Sequence, residues 1–370
     1  MSEPSDLAPL IREKRVIVLC GAGGVGKTTT SAALALAGAQ LGRRVLVLTI
    51  DPAKRLAEAL GIPPHATEPS PVPLDRLHEA GLSGTGTLDA WMLDPRVVFE
   101  RLIRKLSAPD KAELILQSRL YKHMSELVAG MQEYTAAEAL YELCAERRYD
   151  LIVLDTPPSR NALDFLDAPG RLARFLDEGI VQLFLPKEGG GLLRKAGRLV
   201  GTVFSRVFGA TFVAEMQALM GAMSGMFSSL VTHSDGVRAL LAGEDAAFLL
   251  VTSTEEESLR EALYFREQIA SRGLPFAGFV LNRSYARLEG LPHPHALAGA
   301  AGVSPELRAT LRKLERFADR EQTRARADVT MLQRLRELAG GRVAVAAPHL
   351  GDSVDDLSGL FRLAQGLRLA

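Results

Sequence analysis

A glycine-rich turn between an apolar segment and a helical one constrains the fold of this chain more than any other feature. Residues 21–28 read Gly-Ala-Gly-Gly-Val-Gly-Lys-Thr and match the pattern G-x-x-x-x-G-K-[ST]. Glycines let backbone N–H groups converge on a phosphate without Cβ clashes, and the start of a helix adds the positive end of its dipole. The segment therefore predicts a phosphate-binding loop. Its candidate residues are Gly21, Gly23, Gly24, Val25, Gly26, Lys27, Thr28 and Thr29.

Two side chains of this loop have predictable chemistry. In loops of this type the lysine reaches the β- and γ-phosphates of a nucleotide, and the hydroxyl that follows ligates Mg²⁺. We therefore assign Lys27 to the phosphates, as a catalytic residue, and Thr28 to the metal ion.

Short apolar segments alternate with helical ones along much of the chain. Residues 15–19 and 44–49 flank a predicted helix over residues 27–41, and further strand candidates are residues 151–154, 247–252, 276–281 and 343–346. Apolar runs without alternation are typical of strands that are covered on both faces. The pattern predicts an α/β fold of the P-loop NTPase class, with a mostly parallel sheet flanked by helices.

Two stretches lack this strand pattern. Residues 95–149 and 169–243 have helical patterns only, and we interpret them as an all-helical subdomain inserted into the α/β core. The predicted ATPase core then comprises residues 1–94, 150–168 and 244–370.

Composition and charge narrow the function classes. Lys plus Arg number 44 and Asp plus Glu number 44, so the formal net charge is zero, which argues against a nucleic-acid partner. The two cysteines, Cys20 and Cys144, stand far apart, which excludes a disulfide scaffold and an iron–sulfur cluster supplied by one chain. Residues 1–15 carry charges where a signal peptide needs an apolar run. We expect a cytoplasmic protein.

Two carboxylates follow predicted strands. Asp155 ends the apolar run that begins at residue 151, and a strand-end Asp in such ATPases holds Mg²⁺ through water. Asp51 follows the second strand and could orient the attacking water. Its alternative role is to cap a helix that begins at Pro52.

Taken together, these motifs resemble the arsenite-pump ATPase family, which includes the tail-anchored-protein targeting ATPase of the Get pathway. Residues 21–30, 51–56 and 155–163 are similar to its phosphate loop and its two switches. Residues 279–283 resemble the segment whose Asn reads adenine, and residues 347–350 the loop that covers the base. The resemblance implies ATP and Mg²⁺ as ligands. It also implies that Asp51 positions water and that three residues contact the base: Asn282, Pro348 and His349.

One position departs from the family pattern. Ala22 stands where the family carries a second lysine, which reaches the partner's nucleotide across a face-to-face dimer. Such a cation stabilises the transition state and raises the rate of hydrolysis by ~10³-fold or more. Two interpretations stay open: the chain pairs with a paralog that keeps the lysine, or it is a slow ATPase that uses Arg55, Arg160 or another cation. The expected partner is therefore a second copy or a lysine-bearing paralog.

The thiol sites of the family are also missing. The chain has no C-x-x-C pair for a zinc clasp, and its two cysteines do not supply the converging thiolates that arsenite needs. We therefore expect neither zinc binding nor arsenite extrusion. His293 and His295 have a metal-like spacing, which we interpret as ordinary surface histidines.

An apolar stripe in the predicted subdomain suggests a client. Its residues recur at spacings of four and three, namely Met216, Met220, Met223, Phe227 and Leu230. The resemblance implies a groove for a hydrophobic or membrane-protein client, and core packing within the subdomain is the alternative. We interpret residues 357–369 as a helix packed on the sheet, and the charges of residues 308–342 as solvated faces of charged helices.

The sequence thus predicts a Mg-ATP-dependent dimeric ATPase. Hydrolysis would drive open and closed dimer states that bind and release a hydrophobic client. Three alternatives remain: a weakly active regulatory subunit of a paralog heterodimer, a MinD/ParA-like positioning ATPase, and an ATP-dependent metabolic ligase or kinase.

Overall fold

A computed structural model describes residues 6–50, 55–63, 66–118, 121, 132–157, 209–300, 302–351, 354 and 356–368. The chain divides into two units. The first comprises Met1–Met92, Tyr149–Arg160 and Gly243–Ala370, and the second comprises Leu93–Arg148 and Asn161–Ala242.

The first unit is built on a single sheet. Among the described residues it has eight strands in the order β3-β4-β2-β5-β1-β6-β7-β8. All neighbouring strands pair in parallel except β3, which is antiparallel to β4. The strands are β1 Val16–Cys20, β2 Arg44–Thr49, β3 Ser70–Pro71, β4 Thr87–Met92, β5 Leu151–Asp155, β6 Ala246–Thr252, β7 Phe276–Ser284 and β8 Val343–Pro348. The predicted α/β fold with a mostly parallel sheet is confirmed.

Helices precede, connect and follow the strands. In the described part of the chain they are α1 Ala8–Glu13, α2 Lys27–Gln40, α3 Arg55–Leu60, α4 Leu74–Ala80, α5 Pro95–Leu106, α6 Pro109–Gln117, α7 Gln132–Glu146, α8 Ala210–Ala242, α9 Glu256–Ser271, α10 Pro294–Ala298, α11 Pro305–Ala339 and α12 Leu357–Arg368, with a 3₁₀ turn at Ala286–Leu288.

The core strands are buried because both sheet faces are covered. Every residue of β1, β5 and β6 is buried, as apolar runs without alternation predict. Helix α12 packs against α2 and β8, so the predicted packing of the C-terminal segment on the sheet unit is confirmed.

Strand β4 was absent from the sequence prediction. Asp89 interrupts its apolar pattern, and a charged residue at the centre of a short run argues against a buried strand. The structure buries Asp89 beside β2 and gives it a partner, since the hydroxyl of Tyr149 donates to Oδ2 of Asp89 at 2.6 Å. Only the fold brings these two residues together.

The described part of the second unit is helical. Helix α8 contacts α5, α6 and α7. Nδ1 of His233 on α8 lies 2.5 Å from Oε1 of Glu138 on α7, and Lys105 on α5 pairs with Glu142 on α7 at 2.6 Å. Burial is the main cause that raises the pKa of Glu138. No described helix combines the length and the apolar character that crossing a membrane requires.

The predicted apolar stripe lies on α8, which runs as one helix through it. Met216 is partly exposed. The other side chains of the stripe lie outside the described residues: Met220, Met223, Phe227 and Leu230.

Helix α11 has a solvated face and a buried one. Most of its charged side chains are exposed, as the sequence predicts, while the helix also packs against β7 and β8. The buried positions of α11 are Glu321, Ala325, Asp328, Leu332, Leu335 and Ala339.

Candidate nucleotide site

The candidate site lies at the carboxyl ends of three neighbouring strands. Leu19 near the end of β1 and Thr49 at the end of β2 are both in register with Asp155, the last residue of β5. Ligands of open α/β sheets bind outside this edge. The predicted phosphate loop begins there, directly after Cys20.

Close packing requires glycine at two positions of the loop. A Cβ atom on Gly21 would lie 2.2 Å from the carbonyl oxygen of Val251, at the end of β6. Gly26 has a φ of +89° and forms the N-cap of α2, and a Cβ atom there would lie 2.2 Å from Nδ2 of Asn282. The loop can thus approach a phosphate through its backbone.

The lysine of the motif lies against its own loop. Nζ of Lys27 donates to the carbonyl oxygens of Gly21 at 2.9 Å and Ala22 at 2.8 Å. Its side chain is buried at the first position of α2. The ammonium group therefore lies against the first two residues of the loop.

Two hydroxyls converge on one carboxylate oxygen. Oγ1 of Thr28 donates to Oδ2 of Asp155 at 2.7 Å, and Oγ1 of Thr49 donates to the same oxygen at 2.9 Å. Asp155 is fully buried. A threonine hydroxyl that gives its proton to a carboxylate keeps its lone pairs for a cation, so this set fits Mg²⁺, which prefers hard oxygen ligands.

Two hydroxyl groups at this edge of the sheet were missed by sequence reasoning. Thr49 contacts Asp155, and Oγ1 of Thr156 donates to the carbonyl oxygen of Leu19 at 2.7 Å. Burial raises the pKa of the neighbouring Cys20 thiol to about 12, so this thiol stays neutral. The signal was available, because each threonine stands at or just after the end of a buried strand.

Asn282 lies at the same edge, on β7. Its Nδ2 donates to the carbonyl oxygen of Val25 at 2.8 Å, and the residue is 5% exposed. The residue predicted to read adenine therefore contacts the phosphate loop in this structure.

The predicted base-covering residues follow β8. Pro348 is the last residue of the strand. The ring of His349 stacks on the ring of Tyr285, with 4.6 Å between the centroids and 17° between the planes. The backbone N–H of His349 donates to the carbonyl oxygen of Ser284 at 2.9 Å. These contacts fix the end of β8 beside the end of β7.

Several predicted residues fall outside the described part of the chain. Asp51, Arg160 and the side chain of Arg55 are among them. Ala22 is described: it is 7% exposed and its carbonyl oxygen faces Lys27.

The two histidines with metal-like spacing contact carboxylates of α11. His293 lies 3.1 Å from Asp319 and His295 lies 3.2 Å from Glu315, each through a ring nitrogen. Within the described ranges, no three His, Cys, Asp or Glu side chains form a group that could hold a metal ion.

Comparison with known proteins finds similarity to one family of ATPases. A model of the anion-transporting ATPase family matches residues 14–287. An uncharacterized protein of Streptomyces coelicolor is 32% identical over 194 residues, which are 52% of this chain and 44% of that protein. The ATPase ASNA1 homolog 1 of Paramecium tetraurelia is 30% identical over 170 residues, 45% of this chain and 47% of that protein. A putative arsenical pump-driving ATPase of Halobacterium salinarum is 28% identical over 187 residues, 50% of this chain and 28% of that protein. In each case this chain spans less than half of the relative's length.

Proposed function

The chain belongs to the anion-transporting ATPase family, and we propose that it binds ATP with Mg²⁺ at this site and hydrolyses the bond to the γ-phosphate. One observation carries the proposal. The hydroxyls of Thr28 and Thr49 meet on one oxygen of the buried Asp155, and Thr28 directly follows Lys27, whose ammonium group contacts the loop carbonyl of Gly21. This combines a cation site and a phosphate site on one sheet edge.

Each residue has a distinct part in this proposal. The loop from Gly21 to Gly26 surrounds the phosphates with backbone N–H groups, and Lys27 leaves its two carbonyl partners to pair with the β- and γ-phosphate oxygens. Asp155 orients the Thr28 hydroxyl so that its lone pairs face the ion. When bound, Mg²⁺ neutralises the charge that develops on the phosphate oxygens.

Asp51 completes the proposed mechanism. It follows β2, whose end lies beside Asp155. We assign it the orientation of the attacking water, as the family resemblance implies.

The partner proposal follows from Ala22. A site without the second lysine lacks a cation that would act across a dimer. We propose that the chain pairs with a lysine-bearing paralog, which would supply this cation, or with a second copy, in which case turnover would be slow. A second candidate function, favoured by the same residue, is a nucleotide-binding regulatory subunit that activates such a paralog and turns over slowly alone.

An exposed apolar stripe on α11 supports an association surface. The buried positions of α11 begin at Glu321 and recur at spacings of three and four. The same spacing continued towards the N-terminus reaches Phe317, Leu314 and Leu307, which are 57%, 47% and 50% exposed. Large apolar side chains that are exposed along one line of a helix suit a partner helix.

Replacing this stripe should weaken the dimer. In Leu314→Ser/Phe317→Ser we expect the dimer dissociation constant with Mg-ATP to rise at least ~30-fold, since losing each half-exposed apolar contact costs roughly 1 kcal/mol and losing both costs roughly 2 kcal/mol. Sedimentation velocity over a concentration series measures it. Leu114→Ser is the matched control, because Leu114 is 49% exposed on α6 in the other unit. Equal weakening by the control would contradict an α11 interface.

The client proposal rests on the family resemblance and on the helical second unit. We propose that this unit binds a hydrophobic or membrane-protein client in the ATP state, and that the protein works in the cytoplasm.

A trapped ATP state tests the function as a whole. Asp51→Asn should keep Mg-ATP binding and slow turnover by ~10²-fold or more, because the water loses its orienting carboxylate. We would recover the tagged variant from native cells in Mg-ATP and identify co-purifying chains by mass spectrometry, with recovery in EDTA as the control.

The outcomes separate the proposals. A stoichiometric lysine-bearing paralog would establish the heterodimer, and a dimer of this chain alone would establish the homodimer. Membrane proteins that are lost in EDTA would support client handling. A monomer without clients would contradict both proposals and favour a metabolic role.

A further inference from the structure

We propose that Asn282 is a positioning residue of the phosphate loop, which its carboxamide holds in the phosphate-binding conformation independently of any contact with the base. This inference rests on the proposed nucleotide binding and extends it. It assigns a role to a side chain on β7 in the geometry of a loop that lies more than 250 positions away in the sequence.

The contact itself is well formed. Nδ2 of Asn282 donates to the carbonyl oxygen of Val25 at 2.8 Å, and both residues are buried, at 5% and 4% exposure. A hydrogen bond that is shielded from water resists exchange with solvent, and a buried carbonyl that loses its donor bears a desolvation cost.

The orientation of one peptide group explains why this bond matters. In a trans peptide the C=O and the N–H point in opposite directions. Turning the carbonyl of Val25 towards Asn282 therefore turns the N–H of Gly26 away from Asn282. In the proposed function that N–H is one of the loop donors that face the phosphates.

The fit at Gly26 shows how closely the carboxamide lies against the loop. A Cβ atom on Gly26 would be 2.2 Å from Nδ2 of Asn282, whereas a Cβ atom on Gly24 would have no neighbour within 4 Å. Both glycines have positive φ, +89° and +76°. The two positions thus share their backbone requirement and differ in the contact with Asn282.

The strand end is shaped to present this side chain. The pairing of β7 with β8 shifts register between Leu281 and Ser284, and Arg283 has a φ of +55°. Irregular pairing next to a site re-aims a side chain, and a strained residue persists only where its surroundings fix it. The carbonyl of Ser284 accepts from the N–H of His349, which anchors the strand just beyond the irregularity.

The test compares two ligands that share phosphates and differ in the base. We would measure Mg-ATP and Mg-tripolyphosphate binding to the full chain by calorimetry, in the wild type, Asn282→Ala and Asn282→Asp. A positioning role predicts that each variant weakens both ligands by the same factor, about 10-fold for Asn282→Ala and more for Asn282→Asp, whose carboxylate faces a carbonyl. His349→Ala, on the base side, should weaken ATP only.

A loss confined to ATP, with tripolyphosphate binding unchanged, would overturn the inference and leave Asn282 as a base contact. Unchanged binding of both ligands would overturn it as well. A wild type that binds neither ligand would contradict the proposed function instead.

A second measurement needs no ligand and keeps the inference testable in that case. Hydrogen exchange read by mass spectrometry should show faster exchange in the peptide over residues 21–27 in Asn282→Ala than in the wild type, with the β1 and β5 peptides unchanged. Equal exchange in the loop of both proteins would contradict the positioning role. Global acceleration would mark an unfolded variant, and Asn282→Leu, which keeps the shape of the side chain and lacks the donor, would then replace it.

Discussion

Replacing Lys27 with alanine should lower ATP turnover by about 10²- to 10³-fold and weaken ATP binding. The expected loss is large because, in the proposed function, Lys27 supplies the positive charge that pairs with the oxygens of the transferring phosphoryl group. Its ammonium group is already at the loop, where the carbonyl oxygens of Gly21 and Ala22 hold it at 2.9 and 2.8 Å. The absence of a lysine at position 22 makes the chain more dependent on this one.

The measurement combines steady-state phosphate release with titration of a fluorescent ATP analogue, so that a slow wild type still gives a binding signal. Lys111→Ala is the control, because Lys111 is an exposed lysine of α6 in the other unit. Circular dichroism melting separates lost chemistry from lost folding. Turnover that survives in Lys27→Ala would place hydrolysis elsewhere than at this loop.

The sequence was sufficient for the parts of the site that depend on local pattern. A strand, a glycine-rich turn and a helix in succession determine where residues 21–29 lie, and an apolar run ending in Asp places Asp155 at the same edge. Parallel pairing then brings these residues together, since the carboxyl ends of parallel strands lie at the same edge of the sheet. Strand β4, in the outer part of the sheet, could not be predicted, because Asp89 interrupts its apolar pattern.

Contacts between residues that are distant in the sequence could not be predicted. The pairing of Thr49 with Asp155 depends on β2 and β5 being neighbours, which no local pattern states. The contact of Asn282 with Val25 depends on the irregular end of β7, which lies two strands away from β1 in the sheet. Both require the strand order, and strand order is fixed by packing over the whole sheet rather than by any segment.

The charge of Asp155 should set how tightly the proposed site binds Mg²⁺. In Asp155→Asn we expect the Mg²⁺ concentration for half-maximal turnover to rise at least ~10-fold and maximal turnover to fall by about 10²-fold. The amide oxygen can still accept from Thr28 and Thr49, so the fold and the hydroxyl orientation survive while the negative charge is lost. ATP binding in EDTA should therefore be unchanged or tighter, because a negative group near the phosphates has been removed.

Asp89→Asn provides a matched control for this change. Asp89 is also a buried strand carboxylate that accepts from a hydroxyl, that of Tyr149, but it lies within β4 rather than at the sheet edge. If losing a buried carboxylate acted only through stability, both variants would melt earlier and keep the wild-type Mg²⁺ dependence. A shift in Mg²⁺ dependence confined to Asp155→Asn separates the two explanations, because only a charge next to the ion changes the affinity for the ion while leaving metal-free ATP binding intact.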